Sequence, residues 1–412
     1  MRKRWWMIAF WIFAGSAQAG PLQSGQGLLP TETARPLIEQ DPGVAAARAG
    51  LEAARQEAGI LETSPYEWTA RLSGQRRNVA AGPRHGEWSA GIERTLRLPD
   101  KASADRNIGQ ASVAEAAARY GKARRQAARE LLTLWLDWLA AVQGQELASA
   151  NRQSAQDILG AVEKRLRAGD ASKLDRNLAQ AALSEQRRVE NDARTQTNVA
   201  WSRLNGRFPG ISRTSMTFPV PVPVKEDIKF WHDRILAESH ELKIVKALLQ
   251  KAQAQSGRTR AEKIPDPTVG LYTASEAGGQ ERITGISISI PIPGGQRSLR
   301  SAQAAYLAQM SSQELELMKR QLEADIAGAV ATSQGTYESW RIAETGMSAM
   351  QDSVSLMQRA YALGEADLQA LLLVRLQATA AAQNALAART AALKTNYQLL
   401  VDANLIWDLD QE

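Results

Sequence analysis

Residues 285–293 read GISISIPIP, an alternating pattern that is typical of a β-strand with two different faces. In an extended chain the side chains alternate between two faces. One face then carries only isoleucines and the other serines: Ile286, Ile288, Ile290 and Ile292 against Ser287 and Ser289. A strand of about ten residues with one apolar and one polar face suits an outer-membrane β-barrel. A soluble antiparallel sheet with one buried face is the alternative.

A related stretch occurs 194 residues earlier, where residues 91–99 read GIERTLRLP. Its apolar face is interrupted by Arg94 and otherwise consists of Trp88, Ala90, Ile92, Leu96 and Leu98. With hairpin partners, the predicted strands are residues 66–78, 86–98, 267–276 and 282–292. Trp68 and Trp88 would suit an aromatic girdle at a membrane interface. Four strands cannot close a barrel, so several copies must contribute if the sheet enters a membrane.

Proline placement predicts very long helices. No proline lies between Pro99 and Pro209 or after Pro293, and both spans are rich in good helix formers. Each span has one plausible turn, at Gly169-Asp170 and at Gly364-Glu365, offset by 195 residues. The predicted helices are residues 100–168, 172–206, 296–363 and 367–402. A helix of roughly 65 residues is about 100 Å long, which suits a protein that crosses a wide compartment.

The matching offsets indicate a two-fold internal repeat preceded by an export signal. Residues 1–19 have the basic start, short apolar run and small-residue end of a signal peptide, with cleavage between Ala19 and Gly20. Residues 20–207 form the first structural repeat and residues 226–412 the second. The proline-rich residues 208–225 are predicted to be an extended linker.

Composition argues against several classes of protein. The chain has no cysteine, which excludes disulfides, thiolate metal sites and cysteine nucleophiles. Its net charge is +6, but three of these charges lie in the signal segment, so no nucleic-acid partner is expected. No nucleophile constellation or phosphate loop occurs, and the three histidines are scattered. We therefore expect no catalytic residue, no metal site, no cofactor and no enzymatic activity.

The order and spacing of these features resemble those of the TolC-type outer-membrane efflux proteins over essentially all of the mature chain. The likeness is carried by the repeat, the signal peptide and residues 285–296 and 359–400. Residues 264–270, IPDPTVG, resemble the entry to the second hairpin in the heavy-metal, CzcC-like branch. The resemblance implies a mainly α fold with a smaller β part. Long helical hairpins and β-hairpins would form a trimeric α-barrel/β-barrel duct.

The resemblance also implies a location and partners. The duct would lie in outer-membrane lipid with a helical part extending into the periplasm. It would be the homotrimeric channel of a tripartite, RND-type efflux system, joined to a periplasmic adaptor and an inner-membrane pump. A passive duct carries what its pump delivers, so the cargo is open. The short chain and the Pro265-Asp266-Pro267 segment favour heavy-metal cations, and drugs or secreted proteins are the alternatives. A structural periplasmic coiled-coil protein would explain the helices alone.

Residues near the two helix turns are the candidate gate. By resemblance, Asp175 and Tyr361 match members of a network that holds the periplasmic tips closed. Other members are absent, because Ala366, Ala370 and Leu373 stand where an arginine and two acidic residues are expected. Leu372 and Leu373 could then form an apolar constriction, or Asp367 an acidic ring. Ordinary packing and helix capping by all of these residues is the alternative.

Overall fold

The structure is a computed structural model that describes residues 27–409 except 79, 81 and 214–216. The predicted signal peptide and its cleavage site at Ala19-Gly20 lie outside the described residues. Each half of the chain contributes two shorter helices, a β-hairpin and a long helical hairpin. In chain order these are α1 (Thr31–Glu39), α2 (Pro42–Glu62), β1 (Thr69–Asn78), β2 (Arg84–Thr95), α3 (Pro99–Ala168), α4 (Lys173–Arg207), α5 (Ile228–Glu238), α6 (His240–Ala261), β3 (Thr268–Glu276), β4 (Glu281–Ser289), α7 (Gln296–Leu363) and α8 (Leu368–Asp402).

The fold class predicted from the sequence, mainly helical with a smaller β part, is confirmed. Helices α3 and α7 have 70 and 68 residues, so each is roughly 100 Å long. Both begin beside the sheet and end at a glycine turn. None of the helices in the described part of the chain is long and apolar enough to cross a membrane.

The four strands form one antiparallel sheet in the order β1-β2-β3-β4. The central pairing joins the two repeats, with Ile92 opposite Leu271 and Glu93 opposite Gly270. Strands β1 and β4 are the edges of this sheet. Because directly opposite residues lie on the same face, the register assigns every strand residue to one of two faces.

The strands are shorter than the sequence predicts at the ends that meet the helices. Strand β2 ends at Thr95 and β4 at Ser289, so Leu96, Leu98, Ile290 and Ile292 lie beyond the sheet. The physical reason is proline: Pro99 starts α3, while Pro291 and Pro293 have no N–H to donate to a strand neighbour. Strand β1 likewise begins at Thr69 and not at Tyr66, whose hydroxyl donates to Asp266.

The main core lies in the middle of the helical part, where α3 passes between the shorter helices and α8. It is built around Trp135, which is 1% exposed, Trp138 and Leu132. Trp138 packs between Trp135 and Trp201 with ring centroids 5.0 and 5.1 Å apart. Large aromatic side chains fill this core, whereas alanines recur among the buried residues of the long helices, as suits close packing of slender hairpins.

The segment between the repeats has no helix or strand in its described part, but it is not a free linker. Phe208, Ile211 and Phe218 are all buried in the main core. Arg389 of α8 donates to the carbonyl oxygens of Phe218 and Pro219 at 2.5 and 2.8 Å. The prediction of an extended segment therefore missed its packing, since burial of these aromatic rings fixes the segment to the helices.

A buried ionic cluster joins the sheet to the helices. The Lys101 Nζ lies 2.8 Å from Asp266, and both side chains are nearly inaccessible. The Leu98 N–H and the Tyr66 hydroxyl also donate to Asp266, at 3.1 and 2.8 Å. Asp266 therefore connects the segment before β3 to the first turn of α3. Asp266 of the Pro265-Asp266-Pro267 segment thus has a structural role at this junction.

Candidate functional site: the helix tips and the two-faced sheet

The first helix tip is a glycine turn between α3 and α4. Gly169 has a φ of +86°, which an L side chain rarely adopts. Its turn is closed by two hydrogen bonds, from the Gly169 N–H to the Leu166 carbonyl at 3.2 Å and from the Asp170 N–H to the Arg165 carbonyl at 2.8 Å. These bonds satisfy the last carbonyls of α3, and Ser172 caps the first turn of α4.

The structure places Asp175 in a capping box with Ser172. The Asp175 N–H donates to the Ser172 hydroxyl oxygen at 3.0 Å, and the Ser172 N–H and hydroxyl donate to the carboxylate at 2.8 Å. These hydrogen bonds, helped by the nearby charge of Arg165, hold the pKa of Asp175 below its ordinary value. Asp175 thus stabilises the start of its own helix. The structure brings it to Ser172, not to the second-repeat turn.

The second helix tip, between α7 and α8, has the same glycine turn but lacks the reciprocal capping box of the first tip. Gly364 has a φ of +81°, and the Glu365 N–H donates to the Ala360 carbonyl at 2.9 Å. Asp367 caps α8 by accepting from the Ala370 N–H at 2.7 Å. Ala370 occupies the position that Asp175 has in the first tip, so no reciprocal carboxylate is present. The exposed Asp367 and Glu365 therefore put negative charge on this tip.

Tyr361 links the two tips through a residue that the sequence analysis did not identify. The guanidinium of Arg165 lies 5.0 Å from the centre of the Tyr361 ring, and its Nη1 donates to the Tyr361 carbonyl oxygen at 3.3 Å. An arginine over an aromatic face is attracted by the ring electrons. The only signal in the sequence was a basic residue in the last turn of α3, which is common at helix ends and therefore not specific.

Leu372 and Leu373 differ in burial. Leu372 is partly buried against an apolar cluster at the tips that contains Val162, Leu368 and Leu371. Leu373 points away from that cluster and is 55% exposed. Of the two leucines, only Leu373 is free to line an opening between copies of the chain.

Above the tips, all four long helices line a groove of about 380 Å³. Its walls include Ile158, Gln186, Val354 and Leu372 and are largely apolar. Arg375 lines it too and contacts the hydroxyl of Ser154, while its Nε is buried without a hydrogen-bond partner. Burial lowers the pKa of Arg375. Sequence reasoning missed this arginine, because nothing in its local sequence distinguishes it from the many exposed ones.

The sheet has one polar face held together by paired side chains. Arg71 lies 2.7 Å from Glu93, and Arg77 lies 3.0 Å from Glu87 and 3.2 Å from Glu276. Further hydrogen bonds join serines and threonines across the strands, such as that between Ser73 and Ser89 at 2.7 Å. The residues of β1 on this face are all exposed, whereas Glu87 of β2 is buried.

The other face of the sheet is apolar and uncovered. Leu72 is 80% exposed, Ile286 70% and Ile288 67%. Uncovered apolar side chains in such a continuous patch mark a surface that meets lipid or another protein. Arg94 sits at its helix end, donating to the Tyr66 carbonyl oxygen at 3.1 Å with its guanidinium 5.6 Å from the Trp68 ring centre. The apolar face therefore ends at this arginine and is not interrupted in its middle.

Comparison with known proteins gives a consistent result. The family model described as outer membrane efflux protein matches residues 34–206 and 231–401. No curated protein matches the chain. Among solved structures, CusC superposes with a TM-score of 0.73 at 18% identity, over 90% of this chain and 92% of that one. VceC of Vibrio cholerae has a TM-score of 0.73 at 16% identity, over 90% and 95%. The outer membrane channel CmeC of Campylobacter jejuni has a TM-score of 0.73 at 13% identity, over 92% and 86%.

Proposed function

The chain belongs to the outer membrane efflux protein family, and from this premise we propose that it is the passive outer-membrane channel of a tripartite efflux system. The observation that carries the proposal is the uncovered apolar face of the sheet, set at one end of helical hairpins about 100 Å long. In such a channel the apolar face of the sheet would contact lipid, and the long helical hairpins would extend into the periplasm. A structural coiled-coil protein would have no use for the apolar face.

The sheet itself supports assembly from three copies. A four-stranded sheet with edges at β1 and β4 leaves two rows of backbone donors and acceptors without strand partners. In lipid these groups must be satisfied by other strands. Three copies would join β4 of one chain to β1 of the next and give a closed wall of twelve strands. The polar face, with its paired arginines and glutamates, would then line the interior.

The partners and the cargo are proposed by analogy with such systems. A periplasmic adaptor and an inner-membrane pump would engage the helical end. Heavy-metal cations remain the proposed cargo, supported by the resemblance of residues 264–270 to the heavy-metal branch. The groove beside Arg375 favours a second class, organic anions, because its walls are largely apolar and the half-buried Arg375 side chain makes no ion pair with a residue that the structure describes. Loss of resistance to metal salts or to anionic drugs in a deletion strain would distinguish the two cargoes.

We propose that the helix tips control flow. Three copies of Asp367 around an axis would form an acidic ring that favours cations, because like charges crowded together attract counterions. Leu373 would narrow the same opening. Tyr361 and Arg165 would hold the two hairpins of one chain together while the opening is closed, and Asp175 would brace the first tip.

Single-channel recording in planar bilayers tests the tip residues. Asp367→Asn removes the charge but keeps an oxygen that can accept from the Ala370 N–H, so it should lower cation selectivity without loss of the cap. Arg165→Gln should raise the open probability and leave selectivity unchanged, because it removes the cation that contacts Tyr361 and lies near Asp175 but leaves Asp367 intact. Asp175→Asn, which weakens a cap, should do the same to a smaller extent. Unchanged selectivity and open probability in all three variants would show that these residues only stabilise the tips and do not control flow.

A further inference from the structure

The apolar face of the sheet carries charge of one sign only. By the strand register, its charged members are Arg76, Arg84, Arg94 and Arg282, and no aspartate or glutamate shares this face. The polar face, in contrast, holds Arg71 and Arg77 together with four glutamates: Glu87, Glu93, Glu276 and Glu281. The acids of the four strands therefore all lie on the polar face, whereas arginines lie on both faces.

The arginines of the two faces also differ in their partners. Arg71 and Arg77 of the polar face are both paired with carboxylates. Arg76, Arg84 and Arg282 are exposed, and none of them makes an ion pair with a residue that the structure describes. On a face whose remaining strand residues, apart from Arg94, are uncharged, three guanidinium groups are thus left for a partner outside the chain.

These three arginines lie in three successive rows of this face, toward the hairpin turns. Arg282 is in the row of Trp88 and Gly74, while Arg76 and Arg84 occupy the next two rows toward the hairpin turns. We call this group the hairpin-end arginines. Each step between rows of one face is about 7 Å along a strand, so the group spans roughly 14 Å. Trp88, 53% exposed, lies in the same row as Arg282, at the edge of the group nearer the helices, as expected where an apolar band meets a headgroup layer.

The distance to the other end of the apolar band fits a membrane. Arg84 and Arg94 are ten residues apart in β2, which corresponds to about 34 Å along the strand. With the tilt of about 40° usual in such walls, this becomes roughly 26 Å along the membrane normal, close to the apolar band of about 25 Å in outer-membrane barrels. The hairpin-end arginines would then lie at the headgroups of the leaflet opposite the periplasmic helices.

We infer that Arg76, Arg84 and Arg282 bind the phosphate groups of anionic lipids in the outer leaflet. The inference rests on the proposed membrane position of the sheet. Guanidinium groups offer forked N–H donors that match phosphate oxygens, and the neighbouring apolar side chains would contact the acyl chains of the same lipid. In a trimer the group would recur three times around the wall and fix its height in the membrane.

Native mass spectrometry of the purified protein in detergent tests this. The protein is titrated with lipid A carrying both phosphates, with dephosphorylated lipid A, and with phosphatidylcholine. The wild type should retain phosphorylated lipid A in preference to both others. Affinity for it should fall roughly fivefold for each arginine removed in the triple variant Arg76→Gln/Arg84→Gln/Arg282→Gln.

The matched control removes equal charge elsewhere. Arg187→Gln/Arg194→Gln/Arg203→Gln changes three exposed arginines of α4 that make no ion pair within the described part of the chain, and it should leave lipid A retention unchanged. Equal retention of phosphorylated and dephosphorylated lipid A by the wild type would overturn the inference, as would wild-type retention in the triple variant. If the triple variant does not assemble, the single variant Arg84→Gln tests the inference instead. Arg84 is the first residue of β2, and its loss should weaken the binding of phosphorylated lipid A about fivefold.

The same spectra separate this inference from the proposed function. A wild-type protein that stays monomeric contradicts the proposed channel, whatever lipid it binds. A wild-type trimer without preference for phosphorylated lipid leaves the channel intact and contradicts only the role of the hairpin-end arginines.

Discussion

Lys101 and Asp266 show at the scale of single residues how the sheet is fastened to the helices. Their side chains are 3% and 4% exposed and 2.8 Å apart. Burial raises the pKa of Asp266, but hydrogen bonds from Lys101, the Leu98 N–H and Tyr66 outweigh it, and the net pKa lies below its ordinary value. Lys101→Met leaves the carboxylate buried without its cation, so we expect a loss of about 3–5 kcal/mol in stability. Thermal unfolding followed by circular dichroism measures it.

The pH dependence of stability has a definite sign. Because the pKa of Asp266 is depressed by folding, its stabilising contribution is present above the unfolded pKa of about 3.9 and is lost as the pH falls through the folded pKa. The double variant Lys101→Met/Asp266→Asn is the control, since it carries no buried charge at this position. It should be more stable than Lys101→Met and should lose less stability than the wild type on acidification. Equal stability of the single and double variants would contradict the ionic role.

At the scale of secondary-structure elements, strand β4 separates the two faces of the sheet within neighbouring residues. Ile288 is 67% exposed on the apolar face, and Ser289 follows on the polar face opposite Thr268. Ile288→Asp should block outer-membrane assembly, because a carboxylate in lipid costs on the order of a few kcal/mol. Ser289→Asp, the matched control, should assemble. Heat-modifiable mobility of outer-membrane fractions on gels reports assembly, and equal assembly of both variants would show that the faces are assigned wrongly.

At the scale of the whole molecule, the free edges of β1 and β4 require partners. We expect the detergent-solubilised protein to have the mass of three chains, because twelve strands close a wall that four cannot. Light scattering coupled to size-exclusion chromatography measures this mass. Ile288→Asp, refolded in the same detergent, controls for association that does not depend on membrane assembly. A stable wild-type monomer would be incompatible with the proposed channel.

The sequence by itself determined the kinds of element and their order. Gly169 and Gly364 mark the two turns because only glycine adopts a positive φ at no cost, and the alternation around Ile286 and Ile288 defines a two-faced strand. Long stretches without proline determine the long helices. These properties are local: each depends on a residue and its near neighbours in the chain. These properties can therefore be predicted from the sequence without knowledge of the tertiary contacts.

Only the tertiary structure decided which side chains meet. Arg165 and Tyr361 are 196 residues apart in sequence, and Asp266 contacts Lys101 of the other repeat. No local sequence pattern predicts either contact. Arg76 and Arg77 are adjacent in sequence, yet one faces the uncovered apolar side without an acid while the other is paired with Glu87. Alternation along β1 puts the two arginines on opposite faces, but only the register between strands brings Arg77 to Glu87 and leaves Arg76 opposite Gly86.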